Sequence, residues 1–246
     1  MKEDRYQPRT YRHRIESKDL AAFTVVEKET DLFIRAATNI QRKAHRIVLK
    51  YRQQLEEYIL KNPEFQTSLK PLAAPPEAPY IVKEMIEAGQ KAGVGPMAAV
   101  AGAVAEFVGK ELLEFTPEVI VENGGDIFLK TDKPRIVGIY AGDSPLTGKI
   151  GLEIEPNDTP LGICTSSGTV GHSLSFGIAD AVAIVAKSAA LADAAATAVG
   201  NLVKKPSEIN IAIEMGRNIV GVLGIVIIVG GDIGVWGSVK LCETAL

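Results

Sequence analysis

Residues 164–177 read CTSSGTVGHSLSFG. Seven of these fourteen positions carry a small hydroxyl or thiol, three are glycine, and His172 stands among them. An alanine-rich run, IADAVAIVAKSAALADAAATAVGNLV, follows at once. Such a stretch can be a flexible loop, a cradle of backbone N–H groups for an anion at a helix start, or a nucleophile with its base. The phosphate-binding Gly-Lys-Ser/Thr step is absent, with no lysine between Lys149 and Lys187, so a P-loop is not expected. The G-x-S-x-G elbow of α/β-hydrolases is absent too. Ser167 or Cys164 with His172 as base stays open, because sequence alone does not fix their separation. Cys164 at the end of an apolar strand also fits a small buried residue, and His172 also fits a hydrogen-bonded structural role.

Two further segments carry polar groups in telling places. In VENGGDIF, residues 121–128, Asn-Gly-Gly between apolar runs predicts a hairpin turn. Glu122 and Asp126 flank glycines that would let a ligand approach the backbone; a plain turn explains the same residues. In SAALADAAATAVGN, residues 188–201, Asp193 and Thr197 are four apart and share one helix face. An aspartate in so apolar a helix needs a partner. A carboxylate and a hydroxyl on one face suit a hard cation such as magnesium; a buried Asp bonded to a neighbouring loop is the alternative. Asp180 reads as an acid at the start of an alanine-rich helix, favoured there by the helix dipole.

The elements that must position these groups follow from periodicity. FTVVEKETDLFIRA predicts a hairpin turning near residues 29–31, with a further strand in RTYRHRIES. Residues 38–60 lack Pro and Gly and space Ile40, Ala44, Ile47, Val48, Tyr51 and Leu55 as an amphipathic helix with a basic outer face. The proline-rich KPLAAPPEAP, residues 70–79, predicts a break that could bound an N-terminal subdomain of residues 1–70 within a single domain of 246 residues. Helices are expected over 80–92 and 96–112, the second rich in small residues. Strands are expected in PEVIVENGG, DIFLKT, RIVGIYAG, GKIGLEIE and GICTSS, then two alanine-rich helices broken near Lys187 and Ser188, and a helix in SEINIAIEMG. The apolar stretch 219–231 is too short to span a bilayer and reads as a buried strand, before a final pair, DIGVWG and SVKLCE. Runs of strands and of helices without strict βα alternation predict an α+β fold with a largely antiparallel sheet packed with alanine-rich helices.

A net charge of −3 with 46% hydrophobic residues gives no reason to expect nucleic acid as a partner. Two cysteines, Cys164 and Cys242, make no disulfide framework. The charged opening MKEDRYQPRTYRHRI has no apolar core for a secretory signal, so a cytoplasmic location is expected and no membrane contact. Small-residue helix faces and apolar C-terminal strands make a homodimer plausible.

In order along the chain, GVGPMAAVAGAVAE, VENGGDI, CTSSGTVGHSLSFGIADAV and SAALADAAATAVGN together resemble the ApbE superfamily of magnesium-dependent flavin transferases. More narrowly, they resemble an ApbE-like family of archaea and anaerobic bacteria. The motifs cover roughly residues 93–201. The resemblance implies an ApbE-like, T-fold-related architecture. It implies binding of FAD, cleavage of its pyrophosphate with Mg2+, and transfer of FMN to a partner protein; some members only hydrolyse FAD or bind flavin. Asp193 and Thr197 match the A-D-x-x-x-T metal motif, Ser167 and Gly168 the S-G step, and Gly124, Gly125 and Asp126 the G-G-D/N turn. His172 falls in the H-x-x-D-P-x-T-G segment, but Ser175 replaces the acid there and Phe176 the proline. That removes a carboxylate and argues against full flavin transfer while leaving a metal and pyrophosphate pocket.

The resemblance therefore implies one pocket from three segments: Glu122, Asn123, Gly124, Gly125 and Asp126; Thr165, Ser166, Ser167, Gly168, Thr169 and His172; and Asp193 with Thr197. His172 and Ser167 are the expected catalytic groups, Asp193 and Thr197 the metal ligands, and a flavin nucleotide or other pyrophosphate ligand the occupant. The alternatives are a non-flavin accessory protein in sulfide assimilation and homocysteine formation, which the narrower resemblance implies and in which Cys164 would matter, or a scaffold that no longer catalyses.

Overall fold

A computed structural model describes residues 15, 17–168 and 176–244. Strands β1 (Ala21–Glu27) and β2 (Thr30–Ala36) form the first hairpin. Its register pairs Glu27 with Thr30, so the turn is Lys28 and Glu29, with Lys28 in the left-handed region at φ 50. Helix α1 (Gln41–Lys61) buries Ala44, Ile47, Val48 and Leu55. Its boundaries lie within three residues of those the apolar spacing predicts. A short α2 (Pro63–Thr67) leads through the proline-rich connection to α3 (Tyr80–Ala92). Gly93 ends α3 in the left-handed conformation at φ 75, as the glycine at a helix C-terminus should. A 3₁₀ turn at Pro96–Ala99 then opens α4 (Val100–Leu112).

The strands that follow are β3 (Val119–Asn123), β4 (Asp126–Lys130), β5 (Arg135–Gly138), β6 (Ile150–Ile154), β7 (Leu161–Ser166) and β8 (Ala181–Ala186). Helices α5 (Ala189–Leu202) and α6 (Ile209–Gly216) precede β9 (Val222–Val229), β10 (Asp232–Gly237) and β11 (Lys240–Glu243). Eight strands form one sheet in the order β1-β2-β3-β4-β7-β8-β9-β10, and β11-β6-β5 form a second. Every named strand pair is antiparallel. The fold is α+β with a large antiparallel sheet, and the apolar stretch near the C-terminus is the buried strand β9.

Alternation along the strands separates two cores. Val119, Val121, Phe128, Cys164, Val182, Ile184, Ile225 and Ile227 join the core under the helices. Ile120, Ile127, Leu129, Ile163, Ala181, Ala183, Val185, Val226 and Ile228 join the core shared with Val137, Leu152 and Ile154 of the small sheet. The layers are therefore helices, large sheet and small sheet. Ile15 bridges to Val137 on β5.

One expectation is corrected. The first alanine-rich helix is strand β8, all six of whose residues are buried. Alanine is the best helix former, but AVAIVA lies between β7 and β9 with apolar layers on both sides, and tertiary packing outweighs propensity. Its two faces are both apolar, so neither period was distinctive. Asp180 consequently caps no helix: its carboxylate accepts from the Gly230 N–H at 2.7 Å, tying the start of β8 to the β9–β10 turn.

Candidate functional site

The site forms where the β3–β4 turn, the end of β7, the first turn of α4 and the middle of α5 meet. Asn123 pairs with Asp126 across the turn, leaving Gly124 at φ 69 and Gly125 at φ 105 as a two-residue loop. A side chain at either would strain the backbone. Glu122 accepts from the Gly125 N–H at 2.8 Å.

Helix α5 is held at its N-terminus from two directions. Ser188 is the N-cap, its hydroxyl accepting from Leu191 N–H at 3.2 Å. The carboxylate of Glu106, only 1% exposed, accepts from Ala189 N–H at 2.6 Å, Ala190 N–H at 3.2 Å and the Ser188 hydroxyl at 3.0 Å. A negative group at the positive end of the helix is favourable, and the amides it meets would otherwise be unpaired. This contact sets where Asp193 stands, one turn further along.

Asp193 then meets α4. Its carboxylate accepts from Gly102 N–H at 2.9 Å, and the Ala101 N–H beside it also favours the ionised form. Asn123 donates from Nδ2 to the Ala101 carbonyl at 3.1 Å. The Ala101–Gly102 peptide is thus clamped from both ends, by the β3–β4 turn and by α5. Gly102 permits this, since a Cβ there would lie 2.2 Å from the Ala189 carbonyl oxygen and 2.9 Å from Asp193 Cβ. Ala101 and Gly102 are the site residues that the motif reading passed over. The sequence marks α4 as rich in small residues, but not which of its peptides is gripped.

Asp126, on the helix face of β4, lies against Cys164 and within reach of the Asp193 charge. Burial pushes the Asp126 carboxyl well up, the Asp193 and Glu122 charges push it further, and hydrogen bonds from Cys164 and the Thr165 backbone oppose the rise. Burial likewise raises Asp193 to about 7, against the two α4 amides that favour its ionised form. Cys164 is fully buried, and its Sγ lies 3.2 Å from the Ala189 carbonyl oxygen. Burial and then the two carboxylates push its thiol well up, so it is a packed thiol rather than a thiolate nucleophile.

The other candidate residues divide by face. Ser166 and Cys164 point toward the helices, in phase with Val182 and Ile184 across the ladder. Glu122 and Thr165, in phase with Ile120 and Ile163, lie on the small-sheet side. Thr197 is half-buried. Ser167 is half-buried and Gly168 exposed, with Gly168 N–H donating to the Ala179 carbonyl at 2.9 Å. Thr169, His172 and Ser175 lie outside the described residues.

Chemically the site offers oxygen donors. Asp193 and Thr197 are half-buried a turn apart, and among the described residues the Thr197 hydroxyl makes no hydrogen bond. No cluster of three or more His, Cys, Asp or Glu is arranged as a metal cage among the described residues. A cation here would therefore draw on Asp193 and Thr197 and complete its shell with ligand or water oxygens, which is how magnesium is usually held.

The raised Asp193 pKa makes stability depend on pH. Ionised in the unfolded chain above about 4 but protonated in the fold up to about 7, this group stabilises the fold at low pH. That contribution is lost as pH rises through about 7. Asp193→Asn is accordingly expected to be more stable relative to wild type at pH 8 than at pH 4 in the absence of divalent cation. Urea unfolding at the two pH values measures this, and an unchanged difference would contradict the assignment.

The family described as AbpE bacteria matches residues 12–222. A UPF0280 protein of Methanococcus aeolicus is 46% identical over 216 residues, 86% of this chain and 84% of the relative. A UPF0280 protein of Methanocaldococcus jannaschii is 45% identical over 221 residues, 87% and 90% of the two chains. Among solved structures, the chain is similar to the flavinyl transferase ApbE of Pseudomonas stutzeri, with a TM-score of 0.57, 14% identity and coverage of 88% and 93%. It is also similar to the flavin transferase ApbE of Vibrio cholerae, with a TM-score of 0.55, 14% identity and coverage of 92% and 97%. At that identity the likeness speaks to the fold.

Proposed function

Starting from a chain that belongs to the AbpE bacteria family, we propose that it binds a flavin nucleotide, or another ligand with a pyrophosphate, together with magnesium between α5 and the β3–β4 turn. The observation that carries this reading is the pair of half-buried oxygen donors, Asp193 and Thr197. The carboxylate is held in place by the Ala101 and Gly102 amides, and the Thr197 hydroxyl is left for a ligand. The structural neighbours named as flavin transferases support the flavin part of the proposal.

Asp193 and Thr197 would hold the ion, whose chemistry would be to offset pyrophosphate charge. Ionised Asp193 is the form that binds a cation, so metal is expected to compete with the proton that the buried carboxylate otherwise takes up. Asp126 faces the same space, and an ionised Asp193 favours its protonated, neutral form; a cation would weaken that repulsion. The Ser166 hydroxyl lies beside Gly200 of α5, and Gly124 and Gly125 would allow a ligand close approach to the backbone of the turn. The measurement is incubation of purified protein with FAD and magnesium, following flavin fluorescence and the release of FMN and AMP. Bound flavin that depends on magnesium is the expected result. Absence of both binding and release overturns the flavin reading.

A further inference from the structure

Strand β1 is one outer strand of the large sheet, and beside it lies a groove of about 660 Å³ lined by Thr24, Val26, Gln41, Arg42, His45 and Arg46. We propose that this groove is a docking site for an extended segment of a partner protein, which adds to β1 as a further strand and places acidic side chains against Arg42 and Arg46. The reading is independent of the flavin pocket.

The backbone edge is the first element. The Thr24 carbonyl accepts from the Gln41 side-chain amide at 2.7 Å, so this carbonyl points away from β2, toward α1. The N–H and C=O of one residue in a strand point to the same side, and residues two apart repeat the direction. Ala22, Thr24 and Val26 therefore present the outward backbone groups. Gln41 occupies one of them with the kind of donor that a neighbouring strand would supply.

Charge selects the occupant. Arg42 and Arg46 are exposed, and among the described residues neither has an ion-pair partner. The first turn of α1 contains no acidic residue, and the side chain that meets its first amide, Asn39 at 3.0 Å from Gln41 N, is neutral, so the helix end adds positive potential. His45 is already 3.2 Å from Glu27, and that carboxylate confines an incoming acid to the arginine side. Spacing agrees: residues four apart on a helix rise about 6 Å, and residues two apart on a strand advance about 6.7 Å. Acids at alternate positions can thus meet both arginines. The positions between them fall on the opposite face, where Val26 is 59% exposed, and apolar side chains there would cover it. The occupant is a strand that alternates acidic and apolar residues, a form of strand addition at a sheet edge.

The test uses a fluorescein-labelled ten-residue peptide of alternating Glu and Val, titrated with the full chain and followed by anisotropy. Saturable binding that weakens with salt is expected, together with about a tenfold loss in the R42E/R46E double variant, the size of two rim ion pairs. Thermal melting checks that this surface variant is folded, and Gln41→Ala, which frees the Thr24 carbonyl, should bind at least as tightly as wild type. No saturable binding by the Glu–Val peptide overturns the proposal. So does equal binding by a Lys–Val peptide, by a Glu–Val peptide carrying a central proline, or by a uridine oligonucleotide, or an unchanged affinity in R42E/R46E.

Discussion

Gly102→Ala is expected to destabilise the protein by about 2 kcal/mol and to abolish ligand binding beside Asp193. The added methyl would lie 2.2 Å from the Ala189 carbonyl oxygen and 2.9 Å from Asp193 Cβ. One of these is backbone, so no flexible side chain can swing aside, and α4 and α5 must separate. Overpacking of this kind costs about 1–3 kcal/mol. Replacing glycine by alanine inside a helix would by itself stabilise by about 1 kcal/mol, so the sign of the measured change distinguishes the two effects. Separation of the helices also lengthens the 2.9 Å bond from Gly102 N–H to Asp193, which is why binding should fall further than stability does. Chemical denaturation and flavin titration on the same preparation report both quantities. A variant more stable than wild type would show that the contact between α4 and α5 is looser than described.

The second large effect belongs to Glu106. Its carboxylate satisfies Ala189 N–H and Ala190 N–H and holds the Ser188 hydroxyl, and it is ion-paired with Lys110 at 2.5 Å. Lys110 is exposed, so that pair contributes little by itself. The two buried amides carry the larger cost, since unpaired buried donors each cost about 1–3 kcal/mol. Glu106→Ala should therefore lose about 3 kcal/mol, and Tm should fall by about 6–12 °C in a chain of this length. Glu106→Gln keeps an acceptor and should recover most of the loss. A Glu106→Ala protein that melts within about a degree of wild type would mean that Ser188 alone caps α5.

Much of this arrangement is legible in the residues themselves. Asn-Gly-Gly marks the β3–β4 turn because only residues tolerant of positive φ close so short a loop, and Gly124 and Gly125 both adopt it. The amphipathic spacing from Ile40 to Leu55 locates α1, because one face of that helix is buried and the other is charged. The four motifs that resemble ApbE proteins anticipate the family that residues 12–222 match. Strand β8 is the counter-example. Alternation reveals a strand only when its two faces differ, and Val182 and Ile184 face one apolar core while Ala181, Ala183 and Val185 face another. The roles of Ala101, Gly102 and Glu106 were also hidden. A backbone amide that binds a carboxylate 91 residues away, or a glutamate that caps a helix 83 residues on, has no local signature. Each depends on which surfaces the topology brings together. Cys164 had two readings in sequence, and its full burial beside Asp126 selects the packed thiol.

In the proposed function, Asp193 and Thr197 hold a cation against a pyrophosphate. The most direct measurement compares FAD binding to wild type and to Asp193→Asn with and without magnesium at pH 8, where Asp193, raised to about 7, is ionised. Asparagine preserves the size of the side chain and can still accept from Gly102 N–H, so the fold should persist. Wild type is expected to bind FAD at least about tenfold more tightly with magnesium than without, a metal contribution of about 1.4 kcal/mol or more, and Asp193→Asn to lose this enhancement. Magnesium enhancement that survives intact in Asp193→Asn would contradict it.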